Sequence, residues 1–258
     1  METEFSREYF ERMASLEDKH PWTRAMRATT FTLLKTHALR NMDRVLDVGC
    51  GTGGFLRQWR EEGAGTTVGA DLYPTALELA RDRSKAYWTA ASAASLPFTD
   101  NSFDGLHCAD VIQHLTFQES AFAFDEFARV LKPGGVMALR VGARRSFDKR
   151  PQVDYSHSYR LRDLGGELER RHLTVMFIAR VNSLPSLWAE LTENKSKDAP
   201  VKHIQDRVNA DPRTHLLDRY LNWERKWLLS TGVSLPWGHT LIAIARKNTA
   251  DFPRHLNH

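Results

Sequence analysis

One run of residues, Asp47-Val48-Gly49-Cys50-Gly51-Thr52-Gly53, limits what this chain can fold into more than any other. It overlaps Arg44-Val45-Leu46-Asp47-Val48, which reads as a short buried strand. It precedes Phe55, Leu56 and Trp59, which fall on one side of a helix that Gly63 is placed to stop. Glycines at a strand-to-helix turn let the backbone pass close to a ligand with no side chain in the way. The helix beyond offers its free N–H groups to an anionic partner. The run is therefore both a fold marker and a candidate binding site.

The alternation of strand and helix continues downstream. Thr66 to Ala70 reads as a second strand ending at Asp71, and Pro74 suits the first turn of a helix through Leu77 and Ala80. Tyr87 to Ala90 and Phe103 to Ala109 read as the third and fourth strands. Thr116 and Glu119 have capping-box spacing for a helix through Leu131. Lys132-Pro133-Gly134-Gly135 is expected to end that helix, and Val136 to Val141 is the fifth strand. Such alternation predicts a parallel sheet covered on both faces. Ahead of it, Phe5, Tyr9, Met13 and Leu16, then Trp22, Met26, Thr29 and Leu33, keep helical spacing with a break at His20-Pro21.

After residue 143 the rhythm changes. Residues 144–157 read as a polar loop, and a helix around Ser158 to Arg171 is interrupted by Gly165-Gly166. Leu173 to Ile178 and Thr240 to Ala245 are strand-like. Between them a long segment holds a helix opened by Asp211-Pro212, with Leu216, Tyr220, Trp223 and Trp227 along one face.

Composition narrows the setting. Hydrophobic residues make up 41% and charged ones 26%, and a formal charge of +4 is a mild excess of base. Arg144-Arg145 with Lys149-Arg150, and Arg170-Arg171, form local basic clusters that suit a solvated face, an acidic substrate or RNA. They are not organised as a stripe with exposed aromatics, which argues against nucleic acid. Cys50 and Cys108 lie in core-proximal stretches, so no disulfide framework is expected. No apolar run reaches the roughly 18 residues of a membrane helix, and the charged start has no apolar signal core. A cytoplasmic protein without membrane contact is the expectation. Neither H-E-x-x-H nor a cysteine cluster occurs, so no metal is expected.

Gly49, Gly51 and Gly54 also satisfy G-x-G-x-x-G, and Asp71 lies about twenty residues on, where a dinucleotide site keeps its ribose-binding acid. A nicotinamide or flavin dinucleotide must therefore be weighed. Against it, Asp47 puts a carboxylate just ahead of the turn, where it would repel a pyrophosphate and welcome a cationic amino-acid group. Turn-capping for Asp47 and N-capping for Asp71 are the plain alternatives.

Four segments in order resemble the class I methyltransferases that use S-adenosylmethionine (SAM), in particular their type-11, UbiE-like group. Val45 to Gly53 resembles the family's first motif, and Asp71 its ribose-binding acid. Leu96-Pro97-Phe98 with Ser102-Phe103-Asp104 resembles its "LPF…SFD" segment, and Arg129-Val130-Leu131-Lys132-Pro133-Gly134-Gly135 its "R-x-L-K-P-G-G" turn. More weakly, Glu17, His20, Trp22 and Arg27 resemble an "E-x-x-H-x-W…R" opening, and Leu235 to Leu241 the turn before the last strand. The resemblance implies an α/β, Rossmann-like, seven-stranded and mostly parallel sheet with its final strand antiparallel. It also implies an N-terminal helical lid. The expected organisation is a lid over 1–40, a SAM-binding core over 41–178 and 237–247, and a helical insertion capping the substrate over 179–236.

The resemblance further implies that Gly49, Cys50, Gly51 and Gly53 underlie the methionine and ribose of SAM. Asp47 would orient the ammonium, Asp71 would accept the ribose hydroxyls, Leu72 would pack on the adenine, and Arg27 would join the cofactor site. Ser92 stands where relatives carry an acid for the adenine amino group, with the Ala93 backbone beside it. His114 is placed at the methyl end as a candidate general base, with histidine's ordinary range in its favour, and packing as the alternative; Asp110 shares that ambiguity. Tyr9, Trp22, Arg140, Arg144 and Tyr155 are candidate acceptor-site residues, with Trp188, Trp223 and Trp227 near an enclosed pocket or packed beneath it. His107, inside a strand, reads as core. The expected reaction is methyl transfer to an O or N nucleophile of a small molecule such as a specialised metabolite, leaving S-adenosylhomocysteine (SAH). Alternatives are a peptide, protein or RNA acceptor, a cyclase that keeps SAM as scaffold, and a SAM-binding protein without catalysis.

Overall fold

A computed structural model describes residues 5–38, 42–61, 65–144, 154, 158–184 and 214–249. Seven strands form one sheet: β1 (Arg44–Val48), β2 (Thr66–Asp71), β3 (Tyr87–Ala90), β4 (Phe103–Ala109), β5 (Leu131–Gly142), β6 (Leu173–Val181) and β7 (Thr240–Lys247). Their order is β3-β2-β1-β4-β5-β7-β6, with β7 antiparallel to both neighbours and the other pairs parallel. The chain leaves β1 toward β2 on one side and returns at β4 on the other. The carboxyl ends of β1 and β4 thus border the crevice where open α/β sheets bind ligands.

On one face, α2 (Pro21–His37) and α3 (Gly54–Glu61) bury Phe31, Leu34, Phe55, Leu56 and Trp59 against Val45, Val136, Ala138 and Ile244. Helix α4 (Pro74–Arg83) packs beside them, and Ala80 lies near Trp88 at the glycine loop. The opposite face carries α5 (Phe117–Val130) and α6 (Leu161–Glu169), which bury Phe124, Phe127, Leu164 and Leu168 against Leu46, Leu106, Met137 and Leu139. Burying each such side chain contributes about 1.5–3 kcal/mol.

Local chemistry sets the boundaries. In the capping box of α5, Glu119 N donates to Thr116 Oγ1 (3.1 Å) and Thr116 N to the Glu119 carboxylate (2.8 Å). His20 Nδ1 accepts from Trp22 N at 3.2 Å and Pro21 opens α2, so the break between α1 (Arg7–Glu17) and α2 is itself an N-cap. Two expectations need correction. Lys132-Pro133-Gly134-Gly135 ends α5 but lies inside β5. Leu131 already pairs with Phe103, and the register shifts before Gly105 meets Val136. Gly134, at φ +77°, lets the strand bulge there instead of stopping. Gly165-Gly166 lies within a continuous α6.

The two family-like segments in this half are welded by Arg129. Its guanidinium donates to Leu96 O (3.0 Å) and Phe98 O (2.6 Å) and pairs with Glu126, whose carboxylate also accepts from Leu96 N at 2.6 Å. Asp104 accepts from Lys132 Nζ (2.9 Å) and Arg44 N (3.1 Å).

Of the insertion, the structure describes α7 (Thr214–Thr231), which packs on α2. Its buried face is Leu221, Glu224 and Leu228, with Leu217 partly buried. Leu216, Trp223 and Trp227 are exposed, with the two indoles stacked at 6.0 Å. This corrects the expected aromatic face: among the described residues those tryptophans neither line an enclosed pocket nor pack beneath one. The reason is Glu224, which turns inward to accept from Asn182 N (2.9 Å), Ser183 N (2.8 Å) and Tyr220 Oη (2.8 Å) at the end of β6. Asp211-Pro212 and Trp188 lie outside the described residues.

Candidate active site

The glycine loop takes the backbone conformations its residues permit. Gly49, Gly51 and Gly53 have φ of +68°, +51° and +82°, a region that costs other L-residues energy. Asp71, closing β2, holds the loop: its Oδ2 accepts from Gly51 N at 2.8 Å and its Oδ1 from Tyr73 N at 2.9 Å. Burial pushes the Asp71 carboxyl above its ordinary value, and the hydrogen bonds from Tyr73 and Gly51 offset part of that rise. Leu72, next in sequence, is 58% exposed at the same edge. Ala91 N donates to Asp71 O at 2.9 Å, which brings Ser92 and the buried Ala93 to this corner. The Ser92 hydroxyl already accepts from Ala94 N at 3.2 Å. Cys50 is buried, and its thiol is raised well above the ordinary value by burial first and then by the charges of Asp47 and Asp71.

Asp47 is 2% exposed, and its Oδ1 lies 2.6 Å from His107 Nδ1. The two residues are direct partners in the β1–β4 register, and the imidazole stacks on Phe55 at 3.7 Å with planes 7° apart. The histidine that the sequence presents as core is thus core, but it is also the partner of a site acid.

The space that the glycines open is filled here by protein. A Cβ on Gly51 would lie 2.6 Å from Met13 Cε, and one on Gly54 would lie 2.0 Å from Glu17 Oε1. Both neighbours belong to α1, which also places Phe5 and Phe10 around Tyr73 at ring separations of 5.1 and 5.6 Å. Glu17 accepts from Thr52 Oγ1 (2.8 Å) and Arg83 Nη1 (2.6 Å), and Arg83 Nη2 donates to Asp18 at 2.8 Å. Arg57 also pairs with Asp18. Burial alone would raise the Asp18 carboxyl, but Arg57, Arg27 and Arg83 outweigh it and hold it below the ordinary value. The N-terminal helices are latched across the loop by this network.

Arg27 is part of the latch. It donates to Asp18 (3.1 Å) and Gln58 (3.1 Å) and lies 3.9 Å from Glu17, so in this arrangement it serves those residues and not an open cofactor site. Asp110, at φ +58°, accepts from Arg140 Nη2 at 2.6 Å and Nε at 3.1 Å. Both Arg140 nitrogens thus meet the same carboxylate oxygen, and the pair joins the turn after β4 to β5. Arg140 in turn lies under the Trp22 ring at 5.2 Å. His114 is exposed and meets Phe5 edge-on at 5.5 Å, and Phe5 meets Tyr9 at 5.2 Å. Arg144 sits apart from these: its N donates to Tyr159 O and its carbonyl accepts from Arg180. Tyr155 lies outside the described residues. Sequence reasoning missed Met13, Tyr73, Arg83 and the role of His107; only His107 left a signal, through the parallel alignment of the two strands.

Residues 46–139 match a family described as a methyltransferase domain, type 11. The chain is 30% identical over 211 residues to the demethylmenaquinone methyltransferase of Tropheryma whipplei, which covers 80% of this chain and 74% of that protein. Among solved structures, the cyclase SpnF shares the fold at TM-score 0.59 and 22% identity, over 89% of this chain and 83% of that one. A Burkholderia thailandensis 1,6-didemethyltoxoflavin-N1-methyltransferase, solved with SAH, does so at 0.57 and 18%, over 94% and 87%. The chain belongs to the type-11 family of class I SAM-dependent methyltransferases. Among the described residues no helix is long and apolar enough to cross a membrane.

Proposed function

We propose that this methyltransferase binds SAM across the glycine loop and transfers its methyl group to an O or N nucleophile of a small molecule, a specialised metabolite. The observation that carries the cofactor half is Asp71, which joins the end of β2 to Gly51 through a 2.8 Å hydrogen bond and so fixes loop and acid as one unit. Asp71 accepts the ribose hydroxyls, Leu72 covers the adenine, and the Ser92-Ala93 turn meets its edge. Asp47 receives the ammonium. The bound SAM supplies an electrophilic methyl on a good leaving group, so the chain mainly positions the acceptor. Holding two reactants in line can contribute about 7–11 kcal/mol. His114, at the rim, takes the acceptor's proton where the nucleophile must lose one.

A small acceptor is favoured because the arginines around the site are committed to acids of this chain: Arg27, Arg57 and Arg83 to Asp18, and Arg140 to Asp110. Among the described residues little uncompensated base is left there for a phosphate backbone. The Trp22–Arg140 contact narrows the acceptor side.

Calorimetric titration with SAM, SAH and NADH, beside Asp71→Ala, tests the cofactor half. Micromolar SAM or SAH binding that the substitution abolishes is expected; preference for NADH, or no binding of SAM and SAH, would overturn it. SAH release on incubation with hydroxylated or amino metabolites, but not with peptides or tRNA, is the expected acceptor result. Conversion of a metabolite without SAH release would instead point to a cyclase.

A further inference from the structure

Residue 107 lies on β4 facing α3, among Val45, Ala138 and Phe55, where an apolar side chain would serve packing. A histidine there needs a reason. It is 5% exposed, its Nδ1 is 2.6 Å from Asp47 Oδ1, and its buried Nε2 has no hydrogen-bond partner. Because a carboxylate only accepts, the ring donates to Asp47 through Nδ1–H.

We propose that His107 is a positioning residue for the cofactor: it holds the Asp47 carboxylate aimed, so that the second carboxylate oxygen receives the ammonium of the bound amino-acid group. This rests on the proposed role of Asp47. The physical case has three parts. Asp47 is almost wholly buried, and a buried carboxylate is costly unless a hydrogen-bond donor meets it. The imidazole supplies that donor at charge-assisted length. Flat stacking on Phe55 fixes the ring, and through it the carboxylate. The arrangement parallels the way a carboxylate or carbonyl orients a ligating histidine, with the parts exchanged.

Two substitutions separate the donor from the packing. His107→Phe keeps a ring on Phe55 and removes the donor; His107→Asn keeps a donor near Nδ1 and removes the ring. SAH and 5′-methylthioadenosine, which lacks the ammonium, are the probes, with thermal unfolding measured alongside. His107→Phe is expected to weaken SAH binding by about tenfold or more and leave methylthioadenosine unchanged. His107→Asn is expected to retain most SAH affinity even where its unfolding temperature falls. Equal loss for both probes, or unchanged SAH binding in His107→Phe, would overturn the inference. If wild-type protein binds neither SAM nor SAH, the cofactor reading itself fails. Should His107→Phe not fold, SAH binding by His107→Asn that is as weak as that of Asp47→Ala would overturn the proposal.

Discussion

Replacing Glu17 should loosen the lid and tighten the cofactor at the same time. In the latched state Met13 lies on Gly51 and the Glu17 carboxylate on Gly54, one turn apart on α1. A thioether and a carboxylate thus stand where the amino-acid end of SAM is proposed to lie, so lid and cofactor compete group for group. Glu17 is 14% exposed and holds Arg83 at 2.6 Å and Thr52 at 2.8 Å. Hydrogen bonds to charged groups each contribute about 1.5–3 kcal/mol. Arg83 keeps Asp18, and Thr52 keeps Arg83, after Glu17→Ala, so a net loss of about 2 kcal/mol from the latched state is the working figure. If latched lids dominate the free protein, that loss raises apparent SAM affinity by up to about thirtyfold. Glu17→Gln, which keeps an acceptor for Thr52, should give about fivefold. Calorimetry gives the affinity and a thermal melt the stability, and the two should move in opposite directions. SAM affinity that stays level or drops in Glu17→Ala would refute the competition and make Glu17 a contributor to binding.

Glu224→Ala should destabilise the fold by about 3 kcal/mol, because it strands Asn182 N and Ser183 N at the end of β6 as well as removing a buried group; chemical denaturation measures it, and a loss below 1 kcal/mol would show that water replaces the carboxylate. Acid stability should depend on Glu126. Its hydrogen bond with Arg129 holds the carboxyl below the ordinary value, so its contribution is full above the unfolded-state value and is lost as pH falls through the folded-state value. Unfolding followed against pH should therefore show a shallower acid decline in Glu126→Gln than in wild type, with the wild-type curve retained if the pair is without effect.

Much of the fold is legible because strand–helix alternation is written into spacing. The strand Arg44–Val48, the capping box at Thr116 and the His20-Pro21 break each map onto an observed boundary. The spacing misleads where a tertiary partner outranks propensity. The aromatic stripe of α7 resembles a packing face, yet Glu224 finds three donors, Tyr220 of the stripe among them, and the neighbouring face of Leu221, Glu224 and Leu228 turns inward. The proline–glycine turn at 132–135 reads as a stop, yet β4 continues the pairing around it. Site chemistry follows the same division. Asp71 and the glycines sit at fixed places along one strand–turn–helix unit, so sequence locates them. The partners of Asp47, Asp110 and Glu17 lie 60, 30 and 66 residues away along the chain, and only the folded sheet and settled lid bring them together.

Those distant partners give the two halves of the site different characters. On the side proposed for the cofactor stand the buried acids Asp47 and Asp71, while Arg27, Arg57 and Arg83 pair with Asp18 at the end of α1. Two buried acids beside the loop suit a ligand group that carries both an ammonium and a sulfonium, as proposed for the cofactor. On the side proposed for the acceptor, Arg140 is held between Asp110 and the face of Trp22, so its charge is compensated. A neutral, flat acceptor can stack there without confronting a bare charge. Because Trp22 lies in the first turn of α2 and Glu17 ends α1, only a few residues apart, the proposed displacement of α1 by the cofactor would bear directly on the helix that carries Trp22.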